Sequence, residues 1–504
     1  MENQTTIFDM LYPKKKITKP IRLIECFAGY GSQALALKYL GVPFEHWKIC
    51  EWAVKSIQAY KDIHFTHTID TLELFDEQGS IEYLYSKGIS NNYNEPMTIE
   101  QIRRMSYKER NKICNNIIIT QNLVNIQQVK GKDLEIVDTD KYEYIMTYSF
   151  PCQDLSLAGK GKGMSDTSTR SGMLWEVERI LNECENKPQI LLMENVPQVH
   201  SEDNLEDFNK WKFRLEELGY KNYFKDLIAT DYGIPQTRNR CFMISLLGDY
   251  SYTFPKPIPL KLKLKDMLED NVDEKYYLSE KGMEYICGNA LNKDLKDHID
   301  RSKAKLNKEI AYTINTKQDR RCGDANFILD GYGETTIEQF LKIKNATAKG
   351  YLEATDGDGI DISSRMEHHR GTVQKGKIQT LTTFGGNDRG VVIGTYQYAR
   401  SDTFMHGKER LQIGKEVSDT LQTTQKEGIV NSDLRIRKLT PKECGRLMAV
   451  KDKDIDKLNL SDSAKYHIFG DAIVCTVLMS IFGEMLDTDY RSKVERWDYN
   501  DTPL

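Results

Sequence analysis

The sequence lacks the cysteine patterns that mark metal sites and disulfide frameworks. Its ten cysteines are scattered over 504 residues, with no Cys-x-x-Cys pair and no Cys/His cluster at metal-ligand spacing. Such patterns are what structural zinc and small disulfide-stapled folds require. We therefore expect reduced thiols and no bound metal.

Long apolar runs and an excess of positive charge are missing too. No stretch approaches the roughly 18 apolar residues that a membrane span requires, and residues 1–16 contain acidic side chains and no signal-peptide core. The net charge of −5 gives no overall electrostatic support for a nucleic-acid partner. With 29% charged and 39% hydrophobic residues, the composition is typical of a soluble globular protein. We expect a cytoplasmic protein with no membrane partner.

The length predicts two domains, one inserted into the other. From Ile21, short apolar runs alternate with helical segments ("IRLIECF", "SQALALKYLG", "HWKICEW"), which predicts a doubly wound, mostly parallel α/β sheet. Polar helical sequence at 68–122 interrupts the alternation as an insertion. Polar sequence with short β-like runs fills 256–430, so we expect an inserted, mainly β domain there. Residues 1–255 and 431–504 would then form the main domain.

A glycine-rich loop follows the first predicted strand. In "ECFAGYGSQALAL" (residues 25–37), Gly29 and Gly31 lie between strand and helix, where backbone can approach a ligand and the helix start favours a negative group. Glu51 ends the next strand, a position from which a carboxylate accepts ribose hydroxyls, and Trp52 offers a flat face to a purine. The loop alone also fits a structural turn. The combination predicts an adenosine-containing cofactor.

A cysteine follows the predicted strand at 142–150. In "SFPCQDLS", Pro151 ends the strand and Cys152 comes next, at the carboxyl edge where open α/β sheets bind ligands. Most buried cysteines are structural, and a thiol with a pKa of about 8.5 is only a few per cent thiolate at neutral pH. Lowering that pKa to about 7 would raise the thiolate fraction only roughly tenfold. A nucleophilic Cys152 therefore also requires an activated electrophile.

Two further predicted strand ends carry groups that could activate such an electrophile. Glu194, in "LLMENVPQV", could keep or share a proton if burial raises its pKa, and could then donate to a pyrimidine ring nitrogen. Arg238 and Arg240, in "GIPQTRNR", alternate along an extended segment and share one face. Two guanidinium groups there could hold a base oxygen, a phosphate or the carboxylate. Taken singly, each of these patterns also fits a solvated surface.

Seven motifs then occur in a fixed order: "FAGYG", "CEW", "SFPCQDLS", "ENV", "QTRNR", "RKLTPKECGRLM" and "FGDAIV". On these motifs the sequence resembles the DNA (cytosine-5)-methyltransferases, over about residues 21–255 and 435–486. The resemblance implies a Rossmann-like fold that uses S-adenosylmethionine. It also implies methyl transfer to C5 of a cytosine flipped out of double-stranded DNA at a specific sequence, with 256–430 as the target-recognition domain.

The resemblance also implies roles for individual residues. Cys152 would attack C6 of cytosine while Glu194 engages N3 and the amino group, Arg240 contacts the base O2 and Arg238 organises the cysteine and the glutamate. A base then removes the C5 proton and the cysteine leaves. The DNA contacts implied are Gln153, Ser156 and Arg240. The cofactor contacts implied are Phe27, Ala28, Gly29, Gly31, Glu51, Trp52, Asn125, Pro151, Leu174, Asp471, Ala472 and Ile473.

Three positions depart from the family pattern. Glu25 stands where the family usually has Asp. The acid that accepts a hydrogen bond from the adenine amino group is matched by Asn125, whose carbonyl can still accept, with Asp70 as a rival. Asp471 stands where the family commonly has Asn, and the residues give no reason for that change.

Three alternatives differ from this interpretation. A transfer-RNA-type cytosine-5 methyltransferase shares the catalytic motifs, but the long stretch 256–430 favours DNA, since its polar hairpins could read base edges. A catalytically inactive DNA-binding homologue typically loses Cys152 or Glu194. A nicotinamide dehydrogenase leaves those residues unexplained. We expect a monomer. The sequence does not decide whether a cognate restriction endonuclease exists or which DNA sequence is the target.

Overall fold

The computed structural model describes four long parts of the chain, residues 12–65, 74–150, 171–277 and 431–500. It also describes short pieces at 311–312, 341–347, 349–354, 358–361, 372–374, 377–378 and 389–397. Five of the residues predicted or weighed for the site lie outside the described residues: Asp70, Pro151, Cys152, Gln153 and Ser156.

A six-stranded sheet forms the centre of the main domain. Its strands are β1 (Ile21–Cys26), β2 (Phe44–Cys50), β3 (Glu143–Tyr148), β4 (Ile190–Asn195), β5 (Tyr220–Ile228) and β6 (Asn239–Leu247). They lie in the order β2-β1-β3-β4-β6-β5. Strands β1 to β4 are mutually parallel, and β6 runs antiparallel to β4 and β5. This confirms the predicted mostly parallel α/β sheet.

Helices pack on both faces of this sheet, either directly or through another helix. They are α1 (Ser32–Leu40), α2 (Val54–His64), α3 (Glu77–Lys87), α4 (Ile99–Arg103), α5 (Tyr107–Ile119), α6 (Leu174–Glu183), α7 (Leu205–Glu217), α8 (Pro441–Leu447), α9 (Asp452–Ile455), α10 (Asp462–Asp471), α11 (Cys475–Gly483) and α12 (Tyr490–Glu495). Successive strand residues enter different cores, as Leu23 and Ile24 do. That alternation is what a strand covered on both faces requires.

The segment before β3 forms a helical layer on α2. Helices α3, α4 and α5 begin at side-chain caps, Asp76, Thr98 and Ser106, which satisfy backbone N–H groups that a helix start leaves open. Their apolar faces share a buried cluster with Ile57 of α2. The layer is therefore packed on the main domain through a common core.

The described pieces between 311 and 437 are β-strands and short connections. The strands are β7 (Ala311–Tyr312), β8 (Leu341–Lys344), β9 (Tyr351–Ala354), β10 (Gly359–Asp361), β11 (Val373–Gln374), β12 (Lys377–Ile378), β13 (Arg389–Gln397) and β14 (Asn431–Arg437). Strands β11, β10, β13 and β14 form an antiparallel four-stranded sheet. The predicted mainly β character is present in these pieces.

The motif "RKLTPKECGRLM" joins β14 to the main domain. The guanidinium of Arg437 donates to both carboxylate oxygens of Glu443, at 2.8 and 2.7 Å, and both side chains are buried. Glu443 also accepts from the backbone of Thr440, the cap of α8. Gln236 donates to the Leu447 carbonyl at 2.6 Å. The motif thus packs against "QTRNR".

One part of the described chain, Asp462–Gly483, is long and apolar enough by composition to cross a membrane, with a mean hydropathy of 1.5 in its most apolar 18-residue window. This corrects the expectation that no such stretch exists. The segment is divided into α10 and α11, and 83% of its most apolar window is buried inside the protein. Because α11 and α1 share one hydrophobic core, core packing explains the composition.

Candidate functional site

The glycine loop turns sharply between β1 and α1. Phe27, Gly29 and Gly31 have positive φ angles of 58°, 54° and 82°. A Cβ on Gly31 would lie 2.4 Å from Nε2 of His64, whereas a Cβ on Gly29 would meet nothing within 4 Å. Gly31 is therefore fixed by packing. Gly29 leaves open space on its side of the loop, a cradle in which a ligand could approach the backbone.

Glu51 closes this cradle from the end of β2. Its two carboxylate oxygens accept from the backbone N–H groups of Gly29, at 2.9 Å, and Ala53, at 2.8 Å. Burial raises the pKa of Glu51 to about 7, although these hydrogen bonds act in the opposite direction. A carboxyl group so held still has lone pairs for hydroxyl donors, because each oxygen can accept twice.

Asn122 is a site residue that the sequence analysis missed. Its Nδ2 donates to the Glu51 carbonyl at 2.8 Å, and its Oδ1 accepts from the Glu51 N–H at 3.1 Å. These two bonds fix the backbone of Glu51 at the end of β2. The sequence gives no distinct signal for Asn122, because it stands among the polar residues Thr120, Gln121 and Asn125.

The remaining predicted cofactor residues on this side occupy different surroundings. Asn125 is buried, and its Oδ1 accepts from the Gln127 N–H at 3.0 Å, which leaves that oxygen one further lone pair. Trp52 packs partly buried against the apolar cluster of the helical layer. Ala28 is buried in the glycine loop, and Leu174 is buried at the first turn of α6.

The motif "FGDAIV" links the C-terminal helices to both halves of the site. Asp471 ends α10, and the N–H of Ile473 donates to Oγ of Ser32, at 3.4 Å, next to the glycine loop. The carbonyl of Gly470 accepts from Nη1 of Arg238 at 3.2 Å. Ala472 lies between them, partly buried against the core. These contacts bring the last motif beside the first and the fifth.

Glu194 and Arg240 form a buried ion pair across β4 and β6, with 3.2 Å between Oε1 and Nε. The side chains are 8% and 13% exposed. Burial raises the pKa of Glu194, and the positive charges of Arg240 and Arg238 limit the rise. The carboxyl group therefore has the environment in which a proton can be kept or shared.

Arg238 lies deeper than Arg240. Burial, with the neighbouring charge of Arg240, lowers the pKa of Arg238 to about 9, while the charges of Glu194 and Asp471 oppose this change. The structure thus brings together the three described members of the predicted catalytic set, Glu194, Arg238 and Arg240.

Asn195 ties this cluster to the strand that precedes Cys152. Its Nδ2 donates to the Phe150 carbonyl at 3.0 Å, and its Oδ1 accepts from the Val196 N–H at 2.8 Å. Phe150 is the last described residue before the segment that contains Cys152. The chain thus enters that segment next to Glu194. Asn195 is a site residue that was not among those predicted.

A third carboxyl group, Glu25, lies beneath the glycine loop at the end of β1. It is fully buried, accepts from the Tyr60 hydroxyl at 2.5 Å and from the Ala34 N–H at 3.3 Å. Burial raises the pKa of Glu25 to about 7, against the effect of those hydrogen bonds. Glu25 thus contacts α1 and α2 and supports the loop from below.

Within the residues that the structure describes, one group of metal-type ligands comes together. The ligand atoms of His200, Asp226 and Cys241 all lie within 4.8 Å of one another. The imidazole and carboxylate are already 2.9 Å apart as a hydrogen-bonded pair, and Cys241 is buried in the sheet core. A hydrogen bond accounts for this arrangement, and the expected lack of a metal stays a prediction.

Comparisons with known proteins agree on one family. A family model described as C-5 cytosine-specific DNA methylase matches residues 108–487. The orphan methyltransferase M.SssI of Spiroplasma monobiae (strain ATCC 33825 / MQ-1) is 38% identical over 270 residues, covering 52% of this chain and 68% of that protein. The type II methyltransferase M2.ScrFI of Lactococcus lactis subsp. cremoris is 36% identical over 267 residues, covering 51% and 70%.

Among solved structures, that of the Entamoeba histolytica methyltransferase EhMeth aligns over 93% of this chain and 98% of that chain. The TM-score is 0.45 at 14% identity. This similarity is too low to support a functional comparison.

Proposed function

The chain belongs to the C-5 cytosine-specific DNA methylases, and from that membership we propose how its residues carry out the reaction. It is a DNA (cytosine-5)-methyltransferase that depends on S-adenosylmethionine. The observation that carries the residue assignment is the buried pair of Glu194 and Arg240, 3.2 Å apart, next to the strand that leads into Cys152.

Cys152 is the nucleophile in this proposal. Its thiolate adds to C6 of the flipped cytosine, and Glu194 donates a proton toward N3, so that electron density moves to C5. S-adenosylmethionine, when bound, supplies an electrophilic methyl group on a sulfonium sulfur for C5 to take. A base then removes the C5 proton, the bond between C6 and sulfur breaks, and the thiolate of Cys152 is restored. N3 returns its proton to Glu194, so that the acid is ready for the next turnover.

The two arginines act by charge and position. Arg240 compensates the carboxylate of Glu194 when that group has given up its proton, and its remaining N–H groups suit the base O2. Arg238 is held by the Gly470 carbonyl and orients the carboxyl group and the cysteine. Because both groups are largely buried, their interactions with the base are weakly screened by water.

The cofactor residues lie on the other side of the site. Glu51 accepts the ribose hydroxyls, Gly29 admits the cofactor to the backbone, and Trp52 and Asn125 contact the adenine. Phe27, Ala28, Gly31, Leu174, Ala472 and Ile473 complete the cradle, and Pro151 is a further proposed contact. The open face of Gly29 next to buried Glu51 supports this assignment.

The substrate is double-stranded DNA, with Gln153, Ser156 and Arg240 at the extruded base and 256–430 as the target-recognition domain. Flipping costs a few kcal/mol, which contacts to the base and the vacated stack must offset. We further propose a cytoplasmic monomer. The relatives named as type II methyltransferases support testing for a cognate restriction endonuclease.

Covalent trapping tests the mechanism. Duplex DNA with 5-fluorocytosine at the methylated site should become permanently attached to the wild-type protein in the presence of S-adenosylmethionine, because fluorine cannot leave as the C5 proton does. Cys152→Ala should lose both attachment and methylation while still binding S-adenosylmethionine. Cys184→Ala, a change at a buried cysteine elsewhere in the chain, should keep both.

Methylation by Cys152→Ala at a near wild-type rate would refute the nucleophile. A parallel assay with folded transfer RNA tests the RNA alternative, since we expect methyl transfer to duplex DNA and none to transfer RNA.

A further inference from the structure

A loop of the helical layer lies directly beside the cofactor edge of the sheet. Ser90 donates its N–H to the Trp52 carbonyl, and its own carbonyl accepts from the Val54 N–H, both at 2.8 Å. The Oγ of Ser90 donates to the Glu95 carbonyl at 2.7 Å. Residues 89–97 are therefore fixed to the chain that immediately follows Glu51.

This loop places Tyr93 against α10. Tyr93 has a φ of 64°, and its ring stacks on the imidazole of His467, with centroids 4.0 Å apart and planes 11° from parallel. Nδ1 of His467 lies 3.1 Å from Oδ2 of Asp471. Two distant parts of the chain thus build one row of side chains, which we name the 93–467–471 wall.

The wall lies between the two halves of the site. On one side of Asp471, the carbonyl of Gly470 holds Arg238 of the catalytic cluster, and on the other side Ile473 contacts Ser32 next to the glycine loop. Burial raises the pKa of Tyr93 well above its ordinary value, and the charges of Glu51 and Asp471 add to the rise.

A methyl donor that spans this site has a defined charge at a defined place. If its ribose lies at Glu51 and its methyl group faces the base beside Glu194, the sulfonium sulfur would lie between those residues. Asp471 lies on that path, because its chain neighbours Gly470 and Ile473 contact Arg238 and Ser32. After transfer the sulfur is an uncharged thioether. A nearby carboxylate stabilises the cation and does little for the thioether.

We propose that Asp471 is a selectivity residue, which favours the cationic methyl donor over the uncharged product of the reaction. Nδ1 of His467 lies 3.1 Å from the Asp471 carboxylate, and the ring of Tyr93 covers His467 from the helical layer. This inference rests on the proposed cofactor site. It gives a reason for an acid where the family commonly has Asn. The helical layer thereby forms part of the cofactor pocket.

Binding measurements on the full chain test the proposal. Dissociation constants for S-adenosylmethionine and for S-adenosylhomocysteine are measured by calorimetry for the wild type and for Asp471→Asn. Because the Asp471 side chain is 38% exposed, water weakens the attraction between its carboxylate and the positive sulfonium group. We expect binding of the methyl donor to weaken by about three- to tenfold, an effect of a single partly screened charge, and binding of the product to change by less than twofold. An equal change for both ligands, or none, would overturn the proposal.

Variants of Tyr93 test the wall. Tyr93→Ala should weaken both ligands by a similar factor, since it removes a covering ring and no charge, and Tyr93→Phe should restore both affinities. Tyr85→Ala, an exposed tyrosine on α3 of the same layer, is the matched control and should change neither. Loss of affinity in Tyr85→Ala equal to that in Tyr93→Ala would show that the layer acts only through folding.

One further variant separates this inference from the proposed function. Glu51→Gln should weaken both ligands, because both carry the same ribose. If it changes neither affinity, the proposed cofactor site itself is wrong, and the selectivity proposal fails with it. If Glu51→Gln weakens both ligands and Asp471→Asn leaves their ratio unchanged, only the selectivity proposal fails.

Discussion

Two carboxyl groups, at opposite sides of one site, differ in how the protein holds them. Glu51 at the end of β2 accepts backbone N–H groups from Gly29 and Ala53. Glu194 in β4 faces the guanidinium of Arg240 at 3.2 Å. Both are buried, and burial raises the pKa of each. The difference lies in their partners, which are backbone dipoles in one case and a charged side chain in the other.

The comparison teaches which task each group suits. Backbone donors fix an acceptor in one place and bring no net charge, which suits the recognition of neutral hydroxyls. A guanidinium compensates a full negative charge that appears when the acid gives up its proton. Glu51 is therefore suited to binding, and Glu194 to proton exchange during catalysis.

The largest expected effect that tests this contrast is on turnover. In Glu194→Gln the side chain can still donate a hydrogen bond but cannot transfer a proton, so kcat should fall by about 10²–10⁴-fold, the usual contribution of general acid catalysis. The dissociation constant for S-adenosylmethionine should stay within about twofold. Single-turnover methylation and calorimetry measure the two quantities. A large loss of cofactor affinity with normal turnover would reverse the roles assigned to the two acids.

A smaller effect is expected at the other acid. Glu51→Gln removes a charged acceptor that we assign to hydroxyl groups, and hydrogen bonds to charged groups contribute about 1.5–3 kcal/mol. The dissociation constant for S-adenosylmethionine should therefore rise by roughly 10- to 100-fold, while kcat at saturating cofactor changes little. Titration by calorimetry, followed by methylation at saturating cofactor, checks both. Unchanged affinity would contradict the assignment.

A third buried acid sharpens the comparison, since Glu25 serves neither task. Its pKa is raised from 4.5 to about 7, so its neutral form stabilises the fold fully below pH 4.5, and this contribution is lost as the pH rises through 7. Glu25→Gln cannot ionise. Between pH 5 and pH 8, the free energy of unfolding should therefore fall by about 2 kcal/mol less in the variant than in the wild type, as a pKa shift of this size implies.

Urea denaturation at pH 5 and at pH 8 measures that difference. Glu51 has its pKa raised in the same direction, so some pH dependence should persist in the Glu25→Gln protein. If the free energy of unfolding changes equally between pH 5 and pH 8 in the variant and in the wild type, Glu25 does not ionise in this range.

The sequence predicts best what depends on local pattern. The strands before Glu51, Glu194 and the glycine loop were predictable because their apolar runs are short and end in turn-forming residues. The approach of Arg240 to Glu194 was predictable only in part. The alternation of residues predicts that Arg238 and Arg240 share one face. The antiparallel pairing of β6 with β4, which brings Arg240 to Glu194, depends on the whole sheet and is not visible in a local pattern.

What the sequence could not predict depends on tertiary hydrogen bonds. Asn122 and Asn195 read as polar residues near strand ends, and their roles become visible only from the backbone groups of Glu51 and Phe150 that they bind. The stacking of Tyr93 on His467 joins residues from distant parts of the chain. Neither propensity nor spacing predicts such a contact.

The contact between Arg238 and Gly470 has a consequence for how the protein is made. Translation produces the nucleophile, the acid and the glycine loop long before it reaches the last motif, whose Gly470 and Ile473 contact Arg238 and Ser32. A nascent polypeptide released before this point would lack those supports. Methylation competence should therefore arise late in synthesis, so that truncated products leave the genome unmarked.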